Sequence, residues 1–306
     1  MKRTVFLTRV AALLLALALI LSSCGAITPA APISLDEVPE YSGKAYVEIN
    51  GNIPFFTESE LSLGIFESFS DLDSLGRCGV AFACIDRSLM PNKDEDRDSL
   101  SSVTPSGWEY DGRSNNNKYD FVDGSYIYNR CHLIGFQLTG EQANKKNLIT
   151  GTRYLNIRGM LPFEDMVADY IRETGGAVLY RVTPIYDGYN LVCDGVLIEG
   201  YSVSDGGEDI CFCVYSYNVQ PGVTINYYTG ENYKVGDAPE IDNGNQNEAP
   251  QKNLYVVTTS GKYHLPSCRY AESTKEENKT EFSGTLEELI EKYPSHSACG
   301  VCLGDK

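Results

Sequence analysis

Three histidines occur in the chain, His132, His264 and His296, and only His132 falls between residues 41 and 230. Imidazole is the side chain best suited to moving a proton near neutral pH, so a scarce histidine narrows the search for an acid–base group. His132 sits in Tyr128-Asn129-Arg130-Cys131-His132-Leu133-Ile134-Gly135, a short polar cluster among apolar residues. A lone histidine in such a run also suits a buried structural role. The local charge argues for more. From Asn129 to Arg158, Arg130, Lys145, Lys146, Arg153 and Arg158 stand against Glu141 alone, whereas residues 41–230 carry 14 Lys and Arg against 26 Asp and Glu. A basic stretch centred on the one histidine of an acidic domain fits focused attraction of a polyanion, although a solvated basic face would read the same way. Arg130 and Arg153 are the candidate anion contacts. Cys131 beside the histidine admits a thiol nucleophile as an alternative. Against it stands the alternation of neighbouring strand residues to opposite faces.

A second cluster lies near the C-terminus, where His264-x3-Cys268 is followed after thirty residues by Cys299-x2-Cys302. One histidine and three cysteines at this spacing can surround Zn²⁺ tetrahedrally, with His296 as a substitute for His264. A disulfide from Cys268 to one member of the Cys-x2-Cys pair is the competing staple. A unit of about fifty residues with few apolar side chains needs one or the other to fold.

Asn129-Arg130-Cys131-His132 resembles the Asp-Arg-Gly-His motif of the DNA/RNA non-specific endonucleases. Asn147, Asn156 and Glu164 follow at intervals of nine and eight residues, as that family's two asparagines and acidic residue do. Tyr128 to Tyr170 is most similar to the DNA-entry nuclease branch, and the likeness extends more weakly over residues 41–230. The resemblance implies a ββα-metal active site that hydrolyses phosphodiester bonds of DNA, or RNA, with little sequence preference. It implies that His132 takes a proton from the attacking water and that Asn156 is the protein ligand to Mg²⁺ (or Mn²⁺). Glu164 would hold a water of that ion's shell, Asn147 would fix the geometry around the histidine, and Arg130 would serve the site or contact phosphate with Arg153. Mg²⁺ keeps several waters, so one amide oxygen can suffice as a protein ligand. Asn129 for Asp and Cys131 for Gly depart from the motif and are read as changes of support. The sequences around His264, Cys268, Cys299 and Cys302 resemble small Ada-type metal-binding modules.

These residues must be carried by definite elements. Phe163, Met166, Val167, Tyr170 and Ile171 mark one apolar stripe of a helix from about Leu161 to Thr174, stopped by Gly175-Gly176. Pro162 forbids one straight helix from Asn156 to Glu164, which places Asn156 just before a kink and Glu164 just after it. Residues 177–186, 191–204 and 210–219 read as strands with Asp-Gly turns between them. A further helix is expected over Leu286 to Tyr293, and residues 93–106 as an exposed loop. The fold class expected is α+β, a mostly antiparallel sheet with a ββα-metal site, plus a small metal- or disulfide-stapled module.

The bulk properties set the frame. With 42% hydrophobic and 22% charged residues the chain is globular, and its 21 tyrosines favour strands. A net charge of -17 excludes a protein that coats nucleic acid by bulk electrostatics. Residues 1–24 read as a lipoprotein signal peptide: Lys2, Arg3 and Arg9 precede an apolar run too short to span a membrane, and Leu21-Ser22-Ser23-Cys24 resembles a lipobox. Lipidated Cys24 would hold an exported protein on the membrane surface. Residues 25–40 read as a tether, 41–230 as the main domain, 231–252 as a linker and 253–306 as the Cys/His module. The alternative to an enzyme is a catalytically inactive lipoprotein that binds nucleic acid or a surface partner.

Overall fold

β-Branched and aromatic residues dominate the stretch after residue 177, and they build the sheet on which everything else rests. The computed structural model describes residues 32–92, 95–110, 112–237, 253–265, 268–284, 286–299 and 302–303. The lipobox and Cys24 lie outside them. In chain order the first strands are β1 (Tyr46–Glu48), β2 (Phe66–Phe69), β3 (Ala81–Ile85), β4 (Glu109–Tyr110), β5 (Arg113–Ser114), β6 (Tyr128–His132) and β7 (Leu148–Thr152). β8 (Val178–Ile185), β9 (Gly195–Ser202) and β10 (Cys211–Tyr217) are the three strands expected there, and β11 (Val223–Ile225) and β12 (Asn232–Lys234) follow. Six strands pair in the order β1-β10-β9-β8-β3-β2, each pair antiparallel. β6 and β7 form a separate antiparallel ribbon with His132 opposite Leu148. The architecture is α+β, as expected.

Every residue of β8 is buried, so the sheet is covered on both faces at its centre. Val178, Tyr180 and Val182 of β8 join Val196 and Ile198 of β9 and Phe212 and Val214 of β10 in the main core. That core is closed by Phe163, Val167, Ala168, Tyr170 and Ile171 of the helix Leu161–Thr174. The opposite face presents Ile185, Leu197, Cys213 and Tyr215 to Ile33, Ile49 and Phe55 from the N-terminal segment. Burying a side chain of this size is worth about 1.5–3 kcal/mol, so both layers fix the sheet.

The helix begins and ends where the apolar stripe predicts. Pro162 occupies its first turn, where no N–H is needed, and the Gly175 N–H closes it on Ile171 O. Met166 departs from the expectation, because it is 46% exposed while Ala168 and Glu164 are buried. A stripe drawn from hydrophobicity alone admitted the flexible methionine and passed over the carboxylate.

Two boundaries move. Residues 32–40 are no loose tether: Ile33 is buried, and the Tyr217 hydroxyl donates to Pro39 O at 2.6 Å. The expected linker 231–252 begins too early, because β12 pairs with β11 and Asn232 is buried. The Asn232 side chain accepts from Asn117 Nδ2 at 3.0 Å and from the Tyr119 hydroxyl at 2.9 Å, and it donates to Asn115 O. A polar composition that reads as linker is here a hydrogen-bonded asparagine ladder. Within residues 95–106, Val103 and Pro105 are buried and most of the others are exposed.

An ion network latches residues 55–60 onto the sheet. Arg181 grips Glu199 through two bonds of 2.6 and 2.9 Å and reaches Glu60 at 2.8 Å, with its guanidinium over the rings of Phe56 and Phe82. Glu199 is fully buried and also accepts from Phe55 N at 2.7 Å.

The C-terminal residues form their own four-stranded sheet. β13 (Asn253–Thr258), β14 (Lys262–His264), β15 (Lys279–Gly284) and β16 (Ser297–Ala298) lie in the order β15-β13-β14-β16. Tyr255, Val257, Tyr263, Phe282 and Leu289 make its core, the last from the expected helix, observed as Leu286–Lys292.

Candidate active site

β6, β7 and the helix Leu161–Thr174 bring the predicted residues into one neighbourhood. His132 ends β6, and its Nε2 lies 2.9 Å from Gln142 O. A carbonyl only accepts, so Nε2 carries the hydrogen and Nδ1 keeps the lone pair. Burial holds the imidazole pKa below its usual value, with Arg97 pushing the same way and the Gln142 carbonyl opposing. His132 is therefore a neutral imidazole at neutral pH.

Asn147 is wholly buried one residue before β7. Its Oδ1 accepts from Ile134 N at 2.9 Å, its Nδ2 donates to Ile134 O at 3.0 Å, and its backbone O accepts from Leu133 N. This double clamp fixes the chain immediately after His132, a positioning contact and no more.

Glu164 lies in the first turn of the helix, with its carboxylate against Gly135. A β-carbon at Gly135 would come within 2.6 Å of the Glu164 carboxyl carbon, so only glycine leaves the carboxylate its place. Burial first, and the neighbouring Asp165 second, push the Glu164 pKa up to about 7. A buried carboxyl in that condition is suited to a cation, which would draw off its proton.

Asn156 belongs to a π-helical segment, Leu155–Met160, that runs into the helix. The expected kink is thus a wider turn followed by Pro162. Such turns are rare and often mark functional positions. Asn156 Nδ2 donates to Asn129 Oδ1 at 3.3 Å, and its Oδ1 accepts from the Cys131 thiol at 3.2 Å. No hydrogen bond joins His132 directly to Asn156 or Glu164 among the described residues.

The two arginines differ in setting. Arg130 is stacked 4.2 Å above the Trp108 ring centroid and donates through Nε to Val103 O. Arg153 donates to Asn129 Oδ1 at 3.2 Å and lies 3.7 Å from Asp123. Cys131 is 1% exposed and burial raises its pKa well above the ordinary thiol range, a setting that opposes a nucleophilic thiolate.

Three contributors were invisible in the sequence. Gly135 makes room for the carboxylate, and the Gln142 carbonyl sets the histidine tautomer. Arg97, exposed in the loop before β4 with its guanidinium over Phe136, acts electrostatically on both His132 and Glu164. Of these only Arg97 acts through a charged side chain, a cation flanked in the sequence by Asp96 and Asp98.

In the C-terminal module the ligand atoms of His264, Cys268, Cys299 and Cys302 all lie within 4.8 Å of one another. Cys268 Sγ is 3.5 Å from His264 Nδ1 and 4.0 Å from Cys299 Sγ. Zn–S bonds of about 2.3 Å in a tetrahedron set sulfurs about 3.8 Å apart, so the donor set suits zinc. The 4.0 Å between the Cys268 and Cys299 sulfurs is about twice the length of a disulfide bond. His296 stays outside the cluster, its ring against Tyr293 and its Nδ1 3.3 Å from Ser295 Oγ.

Residues 65–204 match the family model described as DNA/RNA non-specific endonuclease. The crystal structure of NucA from Streptococcus agalactiae with magnesium ion bound is similar at a TM-score of 0.53 and 23% identity, over 66% of this chain and 92% of that one. The form of NucA with no metal bound gives 0.54 and 24% over the same shares. Both likenesses establish the fold. No curated protein matches the chain.

Proposed function

We propose that this chain, whose residues 65–204 match the family model of DNA/RNA non-specific endonucleases, is an exported endonuclease that hydrolyses DNA with a divalent cation. The observation that carries the mechanism is the tautomer of His132. With Nε2–H spent on Gln142 O, the free lone pair of Nδ1 accepts the proton of the attacking water. Asn147 keeps that ring in place by clamping Ile134. The donors on the other side are an amide oxygen at Asn156 and a carboxylate at Glu164, both hard oxygens of the kind Mg²⁺ or Mn²⁺ prefers. Asn156 would hold the cation and Glu164 would order its shell. When bound, such an ion supplies neutralisation of the charge that develops on the phosphate and the leaving oxygen. Arg97, already felt by His132 and Glu164, and Arg153 are the proposed phosphate contacts, while Arg130 supports the site from its place on Trp108.

Plasmid DNA separates this reading from an inactive binding lipoprotein. Nicking and degradation are expected with Mg²⁺, and no cleavage in EDTA. Binding without cleavage under both conditions would leave only the inactive reading.

The proposal includes structural zinc at His264, Cys268, Cys299 and Cys302. Metal analysis of the purified chain is expected to find one zinc per molecule, and stripping it should unfold residues 253–306, because the binding free energy of such a site, about 10–16 kcal/mol, is folding free energy. A zinc-free module with unchanged melting would remove this part. Export on a lipidated Cys24 rests on the sequence around it, and mass spectrometry of the mature N-terminus tests it.

A further inference from the structure

The Asn156 amide can bind a cation through only one of its two ends, and a chain of hydrogen bonds determines which end is presented. Arg153 can only donate, so the Asn129 atom 3.2 Å from its Nη1 must be the oxygen. That same Oδ1 lies 3.3 Å from the Asn156 amide, so the Asn156 atom facing it must be the Nδ2 donor. Asn156 Oδ1 is thereby turned the other way, where it meets the Cys131 thiol at 3.2 Å. The thiol has one hydrogen and three neighbours that could accept it. Met160 Sδ at 3.5 Å is a thioether and a weak acceptor, and His132 O lies farther off at 3.8 Å. The amide oxygen is both the nearest and the strongest.

We propose that Cys131 is a positioning residue for the cation site: its thiol, by donating to Asn156 Oδ1, holds the amide with its oxygen toward the cation. This rests on the reading that Asn156 is the metal ligand. One lone pair of the carbonyl oxygen takes the thiol and the other is left for the ion. A flipped amide would present N–H groups to a cation and set two oxygens, Asn129 Oδ1 and Asn156 Oδ1, against each other.

The fold has made room for this sulfur. Across the ribbon from β6, Gly151 of β7 lies beside Cys131, and a β-carbon there would come within 2.6 Å of Cys131 Cβ and 3.2 Å of its Sγ. The sulfur is buried with no path to solvent chemistry, which leaves hydrogen bonding and packing as its uses. Replacing an outer partner of a metal ligand commonly costs 10–100-fold in metal affinity.

Mn²⁺ binding to the full-length, zinc-loaded protein, followed by electron paramagnetic resonance without DNA, tests the proposal. Cys131→Ala, which removes the donor, is expected to weaken Mn²⁺ binding about tenfold. Cys131→Ser, which keeps a donor, should stay within about threefold of the wild type, a split that loss of packing alone would not produce. The Mg²⁺ concentration needed for half-maximal cleavage should rise in parallel. Equal Mn²⁺ affinity in the alanine variant and the wild type overturns the role of Cys131, as does equal weakening in both variants. Asn156→Ala is the control for the underlying reading: if it too binds Mn²⁺ like the wild type, the ligand assignment has failed, and the role of Cys131 fails with it.

Discussion

Replacing His132 by alanine is expected to slow DNA cleavage by about 10²–10⁴-fold, the usual share of a positioned general base. Folding should be spared, because the chain beyond the histidine is held by Asn147 through Ile134 and Leu133 rather than by the imidazole. The pH profile adds a finer check. The reactive form is neutral, and burial lowers the pKa of His132 below 6.5. Cleavage should therefore hold through neutral pH and fall only as the pH drops below the ordinary histidine range. Cleavage by His132→Ala at the wild-type rate, with circular dichroism and melting unchanged, would exclude His132 as the base.

Glu164→Gln should change two properties in opposite directions. With Mg²⁺, cleavage should fall about a hundredfold, since an amide orders a cation's shell poorly. Without metal, the variant should be the more stable protein at alkaline pH. The folded-state pKa of about 7 lies above the ordinary 4.5, so the folded chain binds a proton that the unfolded chain has released across that window. Stability then falls as pH rises from about 4.5 to 7, and the cost is fully present above 7. It amounts to roughly 3 kcal/mol for a group so deeply buried. Urea unfolding in EDTA at pH 8 should show the glutamine variant ahead by that order, with the difference gone near pH 4.5. A variant no more stable than wild type at pH 8 would mean that the carboxylate is not strained there.

The side chains of the candidate site were legible in the sequence, and its backbone and spatial contributors were not. His132 stood out by its scarcity and the charge around it, Asn147, Asn156 and Glu164 through the family resemblance, and the helix carrying Glu164 was bounded by its stripe and by Gly175. The Gln142 carbonyl could not be found, because every residue has one. Gly135 carries no sign of the carboxylate it admits. The Leu155–Met160 π-turn left only the trace of Pro162 against a helical pattern. Polarity misled at the domain ends, where Asn232 reads as linker and yet is buried in a network with Asn115, Asn117 and Tyr119. Cys131, a departure from the family motif, became intelligible only once its thiol was seen beside Asn156.

The strand order has a consequence for anyone shortening the chain. The span that matches the endonuclease family model, residues 65–204, closes just after β9, yet β10 and β1 continue the same sheet beyond β9. A fragment trimmed to that span would leave the outer edge of β9 open along the seven positions that Cys211 to Tyr217 now face. It would also strip Ile185 and Leu197 of Cys213, Tyr215 and the N-terminal cover, and leave Arg181 without Glu60. An open, apolar strand of this kind invites pairing with another copy. A fragment meant to keep the candidate site should therefore run from Ile33 through β12, and a shorter one is expected to precipitate.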